Sequence, residues 1–323
     1  MCNFIADVYN GQRIFVGTDK NLFAFYGEPL KRVLAQLGFE SIFVVIEPGE
    51  ASKNFNNIRD VCEVLAKNKC RRDELLLAFG GGVVTDFFGF VAAIYMRGLR
   101  CILMPSSLLA QIDAAIGGKV AVNLSVSKNL VGAFYNPDLV LCNLALIEKL
   151  PKKEILNGLG EVVKYALLYD SWLWPFLKRS TLASVCENLE VIVKECIKIK
   201  QLFISEDLCE KNGQRVMLNL GHTIGHALEK HLNYEKNHGE CVGNGLIEVL
   251  KLGVGCGLNT QLLLEEVSGV LFRLGVCKEL DIDLLLLKDY ILRDKKTTNV
   301  INFVMLSDVG KPILKQLNLF FIS

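Results

Sequence analysis

Net charge is almost absent from this chain: 36 Lys and Arg stand against 35 Asp and Glu in 323 residues. Such a balance gives no electrostatic footprint for nucleic acid or an anionic membrane surface. Long apolar runs are missing too. A membrane-spanning helix needs ~20 apolar residues in a row, and stretches such as Leu75–Phe79 and Leu284–Leu287 are far shorter. The opening segment MCNFIADVYNGQR has no basic region followed by an apolar block and a small-residue cleavage site, so a soluble, cytoplasmic chain is expected. No CxxC pair occurs among the 11 cysteines, which leaves no clustered thiolates for a zinc knuckle and suggests reduced thiols acting as small core residues. Histidine is scarcer still, with 4 in the whole chain.

What remains is a globular composition, 51% hydrophobic and 22% charged. The length exceeds the about 250–300 residues at which one core stops growing, so two domains are expected. The first half alternates. Ile42–Glu47, Leu75–Phe79, Arg100–Met104 and Leu139–Cys142 read as short strands apolar on both faces, with helical spacing in Asn56–Ala66 and Asp86–Ala93 between them. That is the pattern of a parallel sheet covered by helices. After about Pro151, helical periods dominate over Glu154–Leu168, Ser184–Ile204, Gly221–Leu232, Gly243–Leu252 and Leu262–Leu274, and the single β run is Val300–Met305. We therefore expect an α/β domain over 1–150 and a mostly helical domain over 151–323, packed directly, with the ligand in the cleft between them.

All four histidines fall between His222 and His238. His222 and His226 are four apart in GHTIGHALEK, which puts them one turn apart on one helix face. His238 follows in NHGE, read as a polar loop. Clustered imidazoles suit a catalytic divalent metal or acid–base work; His231, out of phase, reads as structural or exposed. Such a site wants a carboxylate. Glu161 in NGLGEVVKYALL is the best candidate, but Lys164 shares its face, so spacing alone slightly favours an ordinary intrahelical ion pair. Gly80-Gly81-Gly82 follows a strand and precedes the helix carrying Asp86, an arrangement that lets backbone N–H groups meet a phosphate. The GxGxxG fingerprint fails, because its third glycine falls at Thr85. The segment Pro105–Gly132 reads as loop and holds Ser106, Ser107, Asp113, Lys119, Lys128 and Asn129, with Arg97 just ahead of it; basic groups beside glycines suit a phosphate or carboxylate. Arg215 and Asn219 lie seven and three residues before His222, on one side if that helix starts early, and Lys200 and the Arg293–Lys296 tetrad add charge.

Taken together these blocks resemble the 3-dehydroquinate synthase family of sugar phosphate cyclases. The resemblance runs from about Val16 to Lys296. It rests on PGEASK (Pro48–Lys53), the glycine-rich Phe79–Gly98, PSSLLAQIDAAIGGKVAVN (Pro105–Asn123), SKNLVGAFYNP (Ser127–Pro137), GLGEVVKYALL (Gly158–Leu168), NLGHTIGHALE (Asn219–Glu229), HGE (His238–Glu240) and RDKK. It implies a Rossmann-like NAD domain followed by a helical domain that binds a divalent metal, zinc or cobalt, through Glu161, His222 and His238. It implies NAD contacts from Asp19, Glu50, Lys53, Gly81, Gly82, Asp86, Ser106, Ser107, Lys119 and Lys128. Lys119, Lys164, His226, Asp113 and Asn219 are implied as catalytic. Arg97, Asn129, Lys200, Arg215 and one of Lys295 and Lys296 are implied as substrate contacts, with Arg97 reaching a neighbouring subunit of a homodimer. Departures from the family pattern are Thr85 for a usual Gly, implying a tighter or shifted turn, Ser106-Ser107 for Thr-Thr, and Val120-Ala121 for Thr-Gly; the N-terminus looks short of the family's first strand.

The implied activity is that of a phosphate-eliminating carbon–oxygen lyase acting on a small sugar-acid phosphate, 3-deoxy-D-arabino-heptulosonate 7-phosphate, in the shikimate pathway of aromatic amino acid biosynthesis. Competing readings are another sugar phosphate cyclase, a metal-dependent polyol dehydrogenase that would release NADH, and a degenerate homologue that binds NAD only.

Overall fold

A computed structural model of the chain describes residues 3–205, 207, 213–280, 283–295 and 300–318. The chain divides into two compact units, Met1–Leu150 and Pro151–Ser323. The first runs α1 (Asn3–Val8), β1 (Arg13–Asp19), α2 (Lys20–Gln36), β2 (Glu40–Ile46), α3 (Phe55–Lys67), β3 (Leu75–Gly80), α4 (Gly82–Ile94), β4 (Arg100–Pro105), β5 (Lys119–Leu124), β6 (Ser127–Phe134), β7 (Leu139–Val140) and α5 (Leu144–Ile147). Five strands form one sheet in the order β2-β1-β3-β4-β7, every pair parallel.

The strands are apolar on both faces because both faces are covered. Ile14, Val16, Leu75, Leu77, Phe79, Ile102 and Met104 point to one side and pack with Leu30 and Leu34 of α2. Phe15, Leu76, Ala78, Cys101 and Leu103 point to the other and pack with Ile58, Val61 and Leu65 of α3 and Phe87 and Phe88 of α4. Each of the Val, Leu, Ile, Phe and Met side chains among them contributes about 1.5–3 kcal/mol. The chain steps from β1 outward to β2, then returns to β3 on the far side of β1. At a reversal of this kind the crevice outside the carboxyl ends of the strands binds ligands. Those ends are Asp19, Ile46, Gly80 and Pro105. At the opposite edge Arg13 clasps Glu74 through two contacts, at 2.7 and 2.8 Å.

The segment Pro105–Gly132, read from the sequence as loop, is largely ordered structure. Residues 110–114 form a wide π turn, closed by Ala115 N–H donating to Ala110 O at 3.0 Å. β5 and β6 then make an antiparallel hairpin. Its small and polar residues hid the alternation that matters: Val120 and Val122 are buried while Lys119 is exposed and Ala121 and Asn123 are half-buried.

The second unit runs α6 (Lys152–Leu168), α7 (Leu173–Arg179), α8 (Leu182–Glu187), α9 (Leu189–Ser205), a 3-10 turn over Arg215–Asn219, α10 (His222–His231), α11 (His238–Gly255), α12 (Gln261–Leu274), α13 (Leu284–Lys295) and a hairpin of β8 (Val300–Asp308) and β9 (Lys311–Asn318). The single helix expected over Ser184–Ile204 is two, broken at Asn188, whose side chain donates to Ser184 O at 2.9 Å. Arg215 and Asn219 do not extend the histidine helix. They sit on the separate 3-10 turn, because Gly221 adopts a left-handed φ of 76° between them and α10. His238 is not in a loop but is the first residue of α11. The glycines at 239, 243 and 245 concealed that helix start, since glycine is a poor helix former.

Those glycines have a packing purpose. A Cβ at Gly239 would overlap the Asn157 carbonyl of α6, and one at Gly160 would overlap the Gly239 backbone. Farther along α11, a Cβ at Gly245 would strike the Gly221 carbonyl and the Gly225 nitrogen of α10. So α11 lies in near backbone contact with α6 and α10, and Gly239 N–H donates to Asn157 Oδ1 at 2.8 Å. Replacing Gly245 with Ala should force α10 away from α11 and cost ~1–3 kcal/mol of stability, read from the urea unfolding midpoint. An unchanged midpoint would show that this crossing has slack.

Candidate functional site

The convergence of α6, α10 and α11 brings three donors together. Glu161 is fully buried on α6, and its Oε1 lies 3.1 Å from His222 Nε2 and 3.1 Å from His238 Nε2. Its other oxygen pairs with Lys164 one turn along, also buried, whose ammonium stands 4.6 Å from the Tyr165 ring centroid. The sequence left Glu161 between an ion pair and a metal ligand; the carboxylate has two oxygens, and the geometry serves both. The Nδ1 of His222 faces the Leu220 carbonyl at 3.1 Å, and the Nδ1 of His238 faces Glu229 Oε1 at 3.3 Å. Each ring therefore turns Nε2 inward.

This donor set suits a divalent cation. The three ligand atoms lie within 4.8 Å of one another. In a tetrahedral site with bonds of about 2.0–2.1 Å, ligand atoms stand ~3.3 Å apart, close to the 3.1 Å seen here. Two imidazoles and one carboxylate leave a fourth position for a ligand from outside the protein, as in catalytic rather than structural sites. His226, four residues after His222, adds a third ring whose centroid is 5.2 Å from that of His222 and 5.9 Å from that of His238. His231 lies apart, edge-on to Tyr290 at 5.8 Å.

The electrostatics follow from burial. Burial alone would raise the Glu161 carboxyl, but the Lys164 ammonium and the His222 and His238 rings outweigh it and hold the carboxyl well below the usual carboxylate range. Burial would lower His238, yet its contacts with Glu161 and Glu229 push it up to about 10. His226 has no such relief: burial, then the charges of His222 and His238, push it down to about 3, so it is neutral at pH 7.

Buried cations accompany this cluster in the same unit. Lys200 on α9 and Arg215 on the 3-10 turn are 6% and 2% exposed, and the two elements pack together. Arg215 N–H donates to Asp207 Oδ2 at 3.3 Å. Asn219 ends the same turn, half-buried. Lys295 closes α13, and Lys296 lies outside the described residues.

In the first unit the residues expected at a dinucleotide gather along the carboxyl edge of the sheet. Gly81 occupies the N-cap position of α4 without a side-chain cap, which leaves first-turn N–H groups to face a phosphate. Thr85 falls inside the helix, past the turn, and its hydroxyl donates to the Gly82 carbonyl at 3.1 Å. Ser106 N–H donates to Gly80 O at 2.8 Å, and Ser107 Oγ would stand 3.7 Å from a Cβ at Gly81. Lys53, 3% exposed, donates to Asp86 at 2.5 Å and to Asn129 at 2.5 Å. Burial raises the Asp86 carboxyl, with Lys53 opposing and the charges of Glu50 and Asp113 reinforcing. Asn123, which the sequence reading missed, bridges the group: its amide donates to Glu50 at 2.7 Å and its oxygen accepts from Asn129 N–H at 2.9 Å.

Asp19 also stands at this edge as the last residue of β1, while the remaining expected residues are spread more widely. Asp19 caps α2, accepting from Leu22 N–H at 3.0 Å. Lys119 opens β5 and Lys128 lies near the far end of the hairpin, roughly 14 Å along the strands at about 3.4 Å per residue. Arg97 is exposed, with a left-handed φ of 66°, and lines a cavity of about 530 Å³ with Arg72, Arg100 and Tyr135.

The chain matches known proteins over nearly its whole length. Residues 43–157 match the family model described as 3-dehydroquinate synthase N-terminal, and residues 158–297 match 3-dehydroquinate synthase C-terminal. The chain is 38% identical to the 3-dehydroquinate synthase of Clostridium beijerinckii, covering 99% of this chain and 92% of that one. It is 36% identical to that of Streptococcus mutans, covering 98% and 90%. Among solved structures, a 2-deoxy-scyllo-inosose synthase complexed with carbaglucose-6-phosphate, NAD+ and Co2+ superposes with a TM-score of 0.89 at 24% identity, covering 98% of this chain and 89% of that one. A 2-epi-5-epi-valiolone synthase from Streptomyces hygroscopicus with NAD+ and Zn2+ bound gives 0.87 at 25%, covering 98% and 90%.

The histidine pairing has a pH signature in protein kept in excess chelator. His238 has a folded pKa of about 10 against an ordinary 6.5, so its contribution to stability is fully present below about pH 6.5 and is lost as pH rises through about 10. Glu161, depressed on folding, contributes above its usual range and loses that contribution only on strong acidification. Urea unfolding of chelated protein should show stability falling from pH 7 to pH 10. A flat or rising profile there would contradict the pairing.

Proposed function

The chain belongs to the 3-dehydroquinate synthase family, and we infer that it converts 3-deoxy-D-arabino-heptulosonate 7-phosphate to 3-dehydroquinate and inorganic phosphate. The observation that carries the chemistry is the meeting of Glu161, His222 and His238 around one point in the second unit. A hydroxyl carbon of the substrate is oxidised to a ketone for part of the turnover, the ketone acidifies the neighbouring C–H, and phosphate leaves by β-elimination. The ketone is then reduced and the ring opens and closes as a carbocycle. Oxidation and reduction cancel, so the products are one carbocycle and one phosphate with no net redox change. We assign the enzyme to the phosphate-eliminating carbon–oxygen lyases, working in the cytoplasm as a homodimer.

NAD, when bound, would supply reversible hydride acceptance, and a divalent cation, which Glu161, His222 and His238 would hold, would supply the Lewis acidity that makes a substrate hydroxyl more acidic. The other roles fall to the chain's own side chains. Lys164 neutralises the second oxygen of Glu161, so that a ligand carboxylate persists where burial alone would protonate it. His226, uncharged beside the two ligand rings, has a ring lone pair that can accept a hydrogen bond from the reacting hydroxyl and orient it. Lys200 and Arg215 are buried cations suited to a carboxylate or phosphate in an enclosed site, and Asn219 adds a neutral hydrogen-bonding group on the same turn. In the first unit, the uncapped N-terminus of α4 and the Ser106–Ser107 hydroxyls suit the dinucleotide diphosphate, while Glu50, Lys53, Asp86 and Asn123 brace one another beside it. Lys119, Asp113 and Asn129 are assigned to the substrate on their family positions, as is Arg97. No described helix is long and apolar enough to cross a membrane.

Phosphate release from the heptulosonate phosphate should require NAD and be abolished by chelator, with no net rise in absorbance at the NADH band. A steady rise would point instead to a polyol dehydrogenase. Replacing His222 with Ala should abolish cation binding and lower turnover by at least ~10³-fold; full activity without bound metal would refute the assignment. Gly81→Ala separates the nucleotide role from a merely structural turn. Its Cβ meets nothing closer than Ser107 Oγ at 3.7 Å, so the fold should stand while NAD affinity drops by about tenfold, measured by titration calorimetry. Unaltered affinity would remove the glycine turn from the NAD site.

A further inference from the structure

One stripe of α10 carries more than the metal ligand. His222, His226 and Glu229 are spaced i, i+4 and i+7, so they share a face, and that face meets the first residue of α11. There His238 stands between two carboxylates from different helices. Its Nε2 is 3.1 Å from Glu161 Oε1, and its Nδ1 is 3.3 Å from Glu229 Oε1. Glu229 is 9% exposed. A carboxylate only accepts hydrogen bonds, so without a cation both ring nitrogens carry protons; a cation held by Glu161 would take the place of the Nε2 proton and leave the Nδ1 proton on the Glu229 side.

We propose that Glu229 is the positioning residue for His238, holding its Nδ1–H so that the ring presents Nε2 to the cation in a fixed tautomer and orientation. The inference rests on Glu161, His222 and His238 being the ligand set. His222 is held in the same sense by the Leu220 carbonyl, but that partner is neutral and cannot be removed by a side-chain change. Glu229 is charged, so it also makes its ring the more basic donor, and such outer partners typically account for 10–100-fold in metal affinity. His226, Glu229 and His238 also lie close enough to form a ligand group of their own. A second cation there would need His238 to surrender both ring protons while its Nε2 serves the first. A proton on Nδ1 satisfies Glu229 without that.

The test compares the full-length parent with E229Q, E229A and H222A, measuring zinc stoichiometry, zinc affinity against a chromophoric chelator, and the visible spectrum of the cobalt-loaded protein. One zinc per chain is expected in the parent. E229A should bind about 10–100-fold more weakly with an altered cobalt spectrum. E229Q should fall between, because its amide oxygen can still accept from Nδ1–H; H222A should not bind. Parental affinity and spectrum in a folded E229A would overturn the proposal, and if E229A fails to fold, parental values in E229Q would do so. Two zinc ions in the parent and one in E229A would also overturn it, making Glu229 a ligand of a second cation. If H222A keeps parental zinc affinity, the ligand set itself is wrong; if H222A loses zinc while E229A and E229Q do not, only the role of Glu229 falls.

Discussion

The second unit is organised around one negative charge that water never reaches. A carboxylate buried without partners costs several kcal/mol, and Glu161 is 0% exposed. It is tolerated because Lys164 lies one turn away on its own helix and two imidazoles arrive from others. Those partners must come within hydrogen-bond distance, which requires α6, α10 and α11 to approach almost backbone to backbone. Glycine at 160, 239 and 245 makes that approach sterically possible. The local chain, the helix packing and the cation-binding chemistry are thus a single constraint seen at three scales.

The first unit solves a different problem with strand ends. Its two edges have separate tasks: the amino edge is stapled by Arg13 and Glu74, while the carboxyl edge gathers glycine, hydroxyl and charged groups around an uncapped helix start. The stapled edge pairs its charges with each other. The other edge leaves the first turn of α4 without a side-chain cap, and its lysine is braced by Asp86 and Asn129 so that it points in one direction.

Much of this was legible in the residues. The β-branched and leucine runs marked the parallel strands because burial on both faces leaves no alternation to confuse, and four histidines in seventeen positions marked the cation cluster. The failures share a cause: local composition concealed a tertiary purpose. Glycines beside His238 suggested a loop, yet they are contact points of a helix. Serine and glycine between Pro105 and Gly132 suggested loop as well, yet Val120 and Val122 alternate into the core. β9 has Pro312 and only Leu317 buried among its described side chains, so it offered no apolar face to read. Glu229 was visible at seven residues from His222, but nothing in one helix announces which ring will come to meet it from another.

The wide turn at residues 110–114 has a consequence for how this chain can vary. Its coil holds one residue more than an α-helical turn between the same anchor points, and Asp113 lies within that extra length. Deleting a single residue between those anchor points would restore a regular coil and move the side chains inside the turn by about 100°. The carboxylate would leave its neighbours near Asp86 even though its codon survived. Length at this point therefore fixes where Asp113 stands as firmly as residue type does.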